Sequence, residues 1–249
     1  MSVSRKLNVL PQSVRMMGLR QTWRWSLRRV LPPALLDLVS SPSHIPYLDV
    51  EFDRRHGTDT TGWVPTRLLG ISDAHTREQA AVYATAPARV PRLLLASLGI
   101  DPAEFTFVDY GCGKGRVLLV ASELPFKKVV GVEISKALSD IARANVSKFA
   151  SPAQRCTDIE VACVDAREYR LPLTDTVFYL YNPFNTDILA SVLTNLEQSL
   201  KDSPRRVYIV YLGAFPRVIR AFAEYRFLRA RRLVQCLNDE YSWALFSNE

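Results

Sequence analysis

From about residue 90 onward the chain alternates short apolar runs with amphipathic stretches. No other feature narrows its possible folds as much. Strand-like runs fall at Phe105–Asp109, Lys128–Glu133, Ile159–Val164, Thr176–Tyr181 and Arg206–Leu212, and two last ones near Arg226–Val234 and Tyr241–Phe246. Helical spacing is read at Leu93–Leu98, Arg116–Leu124, Ser135–Phe149, Asp187–Leu200 and Pro216–Tyr225. Strands interleaved with helices at this spacing predict an α/β fold, a doubly wound and mostly parallel sheet covered on both faces. Two segments precede it. Residues 1–46 read as a basic arm with a Ser/Pro-rich linker, and residues 47–92 as a polar, turn-rich cap or lid. Residues 93–249 carry the alternating domain.

The 249 residues are 48% hydrophobic and 23% charged, which excludes a disordered or fibrous chain. No uninterrupted apolar run approaches the ~18 residues of a membrane span. Cys112, Cys156, Cys163 and Cys236 contain no CxxC pair and the three histidines are scattered, so neither a metal site nor a disulfide scaffold is expected. A reducing, cytoplasmic setting is the expectation. The net charge of +7 is localised: residues 1–36 hold seven basic side chains and no acid. Within residues 13–31, Met16, Leu19, Trp23, Leu27 and Val30 fall on one helical face beside Arg20, Arg24 and Arg28. This pattern fits an extra helix packed on the domain, a helix on an anionic membrane surface or a transit peptide.

The segment Val108-Asp109-Tyr110-Gly111-Cys112-Gly113-Lys114-Gly115-Arg116 sits where a strand ends and a helix begins. Glycines there allow a sharp turn and a close approach of ligand to backbone, and the helix N-terminus favours an anionic group. A dinucleotide fingerprint wants a third glycine where Arg116 stands, so Arg116 is expected to crowd helix against sheet and to disfavour a nucleotide-cofactor oxidoreductase. Glu133 ends the second strand, where a carboxylate suits vicinal ribose hydroxyls. Asp165 follows the third, where it suits an exocyclic amine. Asp109, Glu133 and Asp165 thus close three successive strands beside one glycine loop, the pattern of an adenosyl-ligand site.

VDYGCGKG, then GVE, then VDA, then YNPF, in that order, resemble motifs of the class I S-adenosylmethionine-dependent methyltransferases over about residues 100–212. The resemblance implies a seven-stranded sheet with its last strand antiparallel and S-adenosylmethionine over the carboxyl ends of the first strands, with S-adenosylhomocysteine as product. It implies further that Asp109 and the loop Gly111, Cys112, Gly113 and Gly115 hold the donor's amino-acid part, Glu133 the ribose, and Asp165 with Ala166 the adenine. Asn182-Pro183-Phe184 is similar to the (Asn/Asp)-Pro-Pro-(Tyr/Phe) motif of amino-group methyltransferases, with one proline instead of two. Asn182, also an expected donor contact, orients an N–H but cannot act as a base, so a nitrogen of a protein or other macromolecule is the expected acceptor, with a protein or small molecule expected over a nucleic acid. Asn-Pro also reads as an ordinary turn closing a strand. From the cap, Thr60 and Tyr83 are the expected donor contacts, while His56 reads as an exposed loop histidine.

Residues 205–232 carry eight arginines against the single acid Glu224, which suits a phosphate-rich partner or a merely solvated face. The sequon at Asn145 falls inside a helix and is set aside. A non-catalytic adapter that keeps its donor pocket and docks through the basic arm is the alternative from another class.

Overall fold

The structure, a computed structural model, describes residues 49–213, 216–234 and 241–249. The arm, its amphipathic stretch at 13–31 and Cys236 lie outside the described residues. Residues 46–249 form one compact unit.

The cap begins with α1 (Val50–His56), β1 (Trp63–Val64), α2 (Ala74–Gln79) and β2 (Tyr83–Ala84), followed by α3 (Arg89–Ala96). The domain continues through β3 (Thr106–Tyr110), α4 (Arg116–Ala121), β4 (Lys128–Glu133), α5 (Lys136–Lys148), β5 (Ile159–Cys163) and β6 (Thr176–Tyr181). It ends with α6 (Thr186–Asp202), β7 (Val207–Leu212), α7 (Pro216–Ala223), β8 (Arg229–Val234) and β9 (Trp243–Ser247). Seven strands form one sheet in the order β5-β4-β3-β6-β7-β9-β8, with β9 antiparallel to both neighbours. This is the seven-stranded arrangement implied by the resemblance.

Strands β3 and β6 occupy the middle, and their β-branched and aromatic runs are buried on both faces, as central parallel strands require. One face packs Val108, Tyr110, Phe178 and Leu180 against Ile188, Leu189, Val192 and Leu193 of α6 and Phe222 of α7. The other packs Phe107, Val177 and Val210 against Leu94 and Leu95 of α3 and Leu118 of α4. Side-chain caps start the long helices. Ser135 accepts from the Leu138 N–H before α5, and Asn185 accepts from the Asp187 and Ile188 N–H groups before α6. The chain leaves β3 toward β4 on one side and returns to β6 on the other. That reversal opens a crevice at the carboxyl ends of β3 and β6, where ligands of open α/β sheets bind.

Residues 49–92 depart from the expected polar cap. Phe52 packs with Leu119, Val120 and Phe149, while Leu69, Ile71 and Tyr83 pack with Leu138 of α5. Short elements here gain their core from distant partners, so local periodicity was weak. The first domain helix likewise starts earlier than read, at Arg89 rather than Leu93.

Candidate active site at the sheet switch point

The glycine loop closes over the end of β4, with the Gly111 and Cys112 N–H groups donating to the Val132 carbonyl at 2.8 and 3.1 Å. Gly111 and Gly113 have φ of 74° and 54°, where L side chains are strained. Both are also in tight contact with other segments. A Cβ on Gly111 would stand 2.5 Å from the Pro183 Cβ, and one on Gly113 would collide with the Tyr83 ring. The loop is therefore shaped jointly by the turn after β6 and by the cap.

The three acids predicted from strand ends converge on one cavity, whose wall includes Asp109, Glu133 and Asp165 together with Gly111 and Cys112. Glu133 is 6% exposed. Its Oε2 accepts from the Gly113 N–H at 2.9 Å and its Oε1 from the Ser135 N–H at 2.8 Å. Burial pushes its carboxyl above the ordinary range, against the opposing pull of those N–H groups. A carboxylate offers about four lone-pair sites, so Glu133 retains acceptor capacity for a ligand hydroxyl. Asp109 is raised further by burial and by the neighbouring Glu133. Asp165 behaves oppositely, because the Arg167 guanidinium bonds it at 2.6 and 3.0 Å and holds its carboxyl low. Arg167 also reaches the Thr76 hydroxyl at 3.2 Å and so ties α2 to the loop after β5.

The turn after β6 brings Pro183 and Phe184 into the same wall. Asn182 does not line it. Its backbone takes φ of 41°, and its Oδ1 accepts a 3.3 Å bond from the Tyr211 hydroxyl. A left-handed asparagine between strand and proline is a local strain of the kind found where a turn must aim a functional segment. The cap roofs this turn. The Ala81 N–H donates to the Pro183 carbonyl and the Asn185 N–H to the Gln79 carbonyl, both at 3.0 Å.

Residues 107–203 match a family profile described as a methyltransferase domain. They span the glycine loop, all three acids and the Asn-Pro-Phe turn, within the strand order just described. This stretch of the chain is similar to a methyltransferase domain. Trans-aconitate 2-methyltransferase of Methylobacterium radiotolerans is 30% identical over 89 residues, 35% of this chain and 29% of that protein, so the chain matches under a third of that relative's length. Among solved structures, a SAM-dependent methyltransferase from Aquifex aeolicus aligns with TM-score 0.49 and 15% identity over 75% of this chain and 98% of that one. Magnesium protoporphyrin IX methyltransferase from Synechocystis with bound SAM aligns with TM-score 0.48 and 14% identity over 82% and 92%.

Several residues of this chain do something other than expected. Arg116 does not crowd α4 against the sheet. It turns toward the cap, 1% exposed, and ion-pairs with Asp49 at 3.6 Å and Asp53 at 3.5 Å. Its Nε donates to the Thr60 hydroxyl at 2.7 Å, and its guanidinium lies over the Phe52 ring. Arg116 is therefore no steric obstacle between helix and sheet. Thr60 is likewise outside the cavity wall, being fully buried between Asp53 and Arg116, but its carbonyl accepts from the Tyr83 hydroxyl at 2.7 Å. Tyr83 does reach the wall, whereas Gly113 and Gly115 stay behind it. Asn145, the discarded sequon, is a buried clamp. It accepts from the Asp59 N–H and donates to the Asp59 and Lys114 carbonyls at 2.8–2.9 Å. Lys114 completes the clamp through Asp59 at 2.7 Å.

His56 is half-buried against Phe52 and Phe149 instead of free in a loop. Of the basic run, Arg205 and Arg206 are engaged internally, Arg206 with Asp175 and Glu104. The clamp residues and the wall residue Tyr179 were missed from sequence. Only the three-dimensional register, which the strand pattern leaves open, brings them to the loop.

Proposed function

We propose that this domain binds S-adenosylmethionine in the cavity at the sheet switch point and transfers its methyl group to an acceptor nitrogen of a protein or other macromolecule. The observation that carries the reading is the meeting of Asp109, Glu133 and Asp165 with Gly111 and Cys112 in one cavity. The residues fit an adenosyl amino acid. Buried Asp109 suits the amino-acid part, and Glu133 has its inner lone pairs already anchored by backbone N–H groups and suits the ribose. Asp165, with Ala166 next to it, suits the adenine edge. When bound, the donor supplies a methyl group made electrophilic by its sulfonium.

The protein's own contribution is alignment and exclusion of water. The 79–81 strip bonded to residues 183–185 covers the turn, and Phe184 and Tyr83 supply apolar walls. Asn182, between the wall residues Tyr181 and Pro183, would orient the incoming N–H by turning its amide toward the cavity. The Tyr211 hydroxyl that donates to Oδ1 at 3.3 Å holds that amide in place through a long bond, which an acceptor N–H can supplement.

Calorimetry on the full chain tests the donor: S-adenosylhomocysteine is expected to bind and NAD not to bind. Radiolabelled methyl transfer into the proteins of a cell extract tests the acceptor. Asn182→Ala is expected to abolish that transfer while leaving S-adenosylhomocysteine affinity in place. Equal transfer by the variant would remove Asn182 from the chemistry, and absence of S-adenosylhomocysteine binding by the wild type would remove the donor assignment.

A further inference from the structure

Residues 216–234 carry six arginines and one acid, Glu224. They make up α7, the turn after it and β8, the outermost strand of the sheet. Elsewhere on the surface cations stand beside acids: Arg54 with Glu51, Lys128 with Glu160, and Lys136 and Arg143 with Asp140. Here, among the described residues, no ion pair or hydrogen bond is found for the side chains of Arg220, Arg226 and Arg229. Arg231 and Arg232 reach the main-chain oxygens of Glu249 and Ser97, at 3.2 and 3.4 Å.

Side chains alternate across a strand, so a strand packed under a helix buries one of its faces. β8 does not, because Arg229 through Leu233 are all exposed. Ala230 pairs with Phe246, which stacks on Phe222 of α7, so that face of the sheet belongs to α7. Arg229 and Arg232 pair with Ser247 and Leu245 on the opposite face, where Leu245 shares a core with Leu94 and Leu95 of α3. Arg217 and Arg220 are exposed on α7, and Arg226 is exposed in the turn between helix and strand. Cations therefore bracket the edge of the sheet from both faces. The row begins beside the turn after β6, since the charge of Arg217 acts on the Tyr211 hydroxyl that reaches Asn182.

This placement restricts what the row can hold. An acidic peptide would have to pair with the edge as an added strand. The register of β8 shifts between Ala230 and Arg232, and such a bulge breaks the row of backbone groups that a new strand needs. A lipid surface is flat, and the segments that lie on it combine basic side chains with inserted apolar ones. Among the described residues Leu233 is the one large apolar side chain exposed in this segment, and the arginines stand on two faces. A single-stranded phosphodiester chain is flexible enough to pass around an edge, and each of its phosphates accepts a guanidinium fork.

We propose that α7 and β8 form a docking surface for single-stranded nucleic acid, held through its phosphates as it passes around the edge of the sheet. The surface lies outside the cavity, so the proposal does not depend on the donor assignment above.

The test is fluorescence anisotropy of a labelled oligouridylate with the full chain, titrated at several salt concentrations. Arg220→Gln/Arg226→Gln/Arg229→Gln is expected to weaken binding about tenfold and to lower the salt slope by about 2, since each phosphate contact on a single strand contributes about 0.7. Arg220→Lys/Arg226→Lys/Arg229→Lys is expected to stay within about threefold of wild type, because phosphate also accepts a point charge. Arg89→Gln/Arg155→Gln/Arg170→Gln removes the same charge from exposed sites elsewhere and is expected to leave affinity and slope near those of wild type. All three variants are expected to melt with wild type, their altered side chains being exposed. An equal loss in the Arg89, Arg155 and Arg170 variant overturns the surface, because net charge then explains binding. Wild-type protein that does not bind oligouridylate, or a first variant that binds it as wild type does, overturns it as well. A loss seen with phosphatidylserine vesicles or polyglutamate but not with oligouridylate overturns it in favour of a lipid or an acidic protein.

Discussion

Glu133 does two things at once, and they can be separated. Its inner lone pairs fix the Gly113 and Ser135 N–H groups, and with them the glycine loop and the start of α5. The residue also lines the cavity. Glu133→Gln keeps one acceptor oxygen, whereas Glu133→Ala loses both. S-adenosylhomocysteine binding is expected to weaken in that order, by about 1.5–3 kcal/mol for each charged hydrogen bond lost. Calorimetry with the 2′-deoxy analogue isolates the sugar's share. The deoxy penalty seen in wild type should shrink in Glu133→Ala, and a penalty of the same size in both proteins would take the ribose away from Glu133. The three acids were legible because each ends a strand, and strand ends can be read from hydrophobic runs. Tyr179 was not, because its position beside Asp109 depends on the register between β3 and β6, which neither strand encodes alone.

At the scale of elements, the cap is joined to the glycine loop through Arg116. One guanidinium at the start of α4 collects Asp49, Asp53 and Thr60 from the cap, and the Thr60 carbonyl in turn holds the Tyr83 hydroxyl against the loop. Burial alone would raise the Asp53 carboxyl, but bonds from Thr60, Thr61 and Thr58 outweigh it and set it below the ordinary value. A lowered carboxyl adds stability that is present above its unfolded pKa and is lost as pH falls through the folded one. Asp53→Asn should therefore lower stability at neutral pH and flatten its decline below about pH 4. Arg116→Leu leaves two acids unpaired and should cost about 3–5 kcal/mol. Urea denaturation across the pH range measures both, and an Asp53→Asn curve parallel to wild type would show that Asp53 is not the titrating group. This joint was hidden in the sequence. The polar run at 53–62 reads as a loop, and its cation sits 63 or more positions away from Asp53 and Asp49, where no local period connects them.

The whole molecule combines a legible sheet with a terminal charge that the sheet does not use. The order of seven strands follows from apolar runs and a reversal at β3, and β9 is the hinge of its far side, since β8 pairs with the sheet only through it. The exposed β8 carries Arg229, Arg231 and Arg232, which keep an open edge from pairing with another chain. Among the described residues, the cavity wall runs between Leu69 and Ile188 and the partners of Arg116 lie at or after Asp49, within the compact unit 46–249. A protein trimmed to residues 46–249 is therefore expected to bind S-adenosylhomocysteine as the full chain does, within about twofold. What it gives up is charge. The first 36 residues hold seven of the 32 lysines and arginines and none of the 25 acids. Near an anionic leaflet each basic residue is worth about 1 kcal/mol, whatever backbone conformation carries it. Full-length protein should sediment with phosphatidylserine vesicles at low salt and be released as salt rises, while the trimmed protein stays in the supernatant. Equal sedimentation of the two would move the membrane contact from the arm to the arginines of α7 and β8.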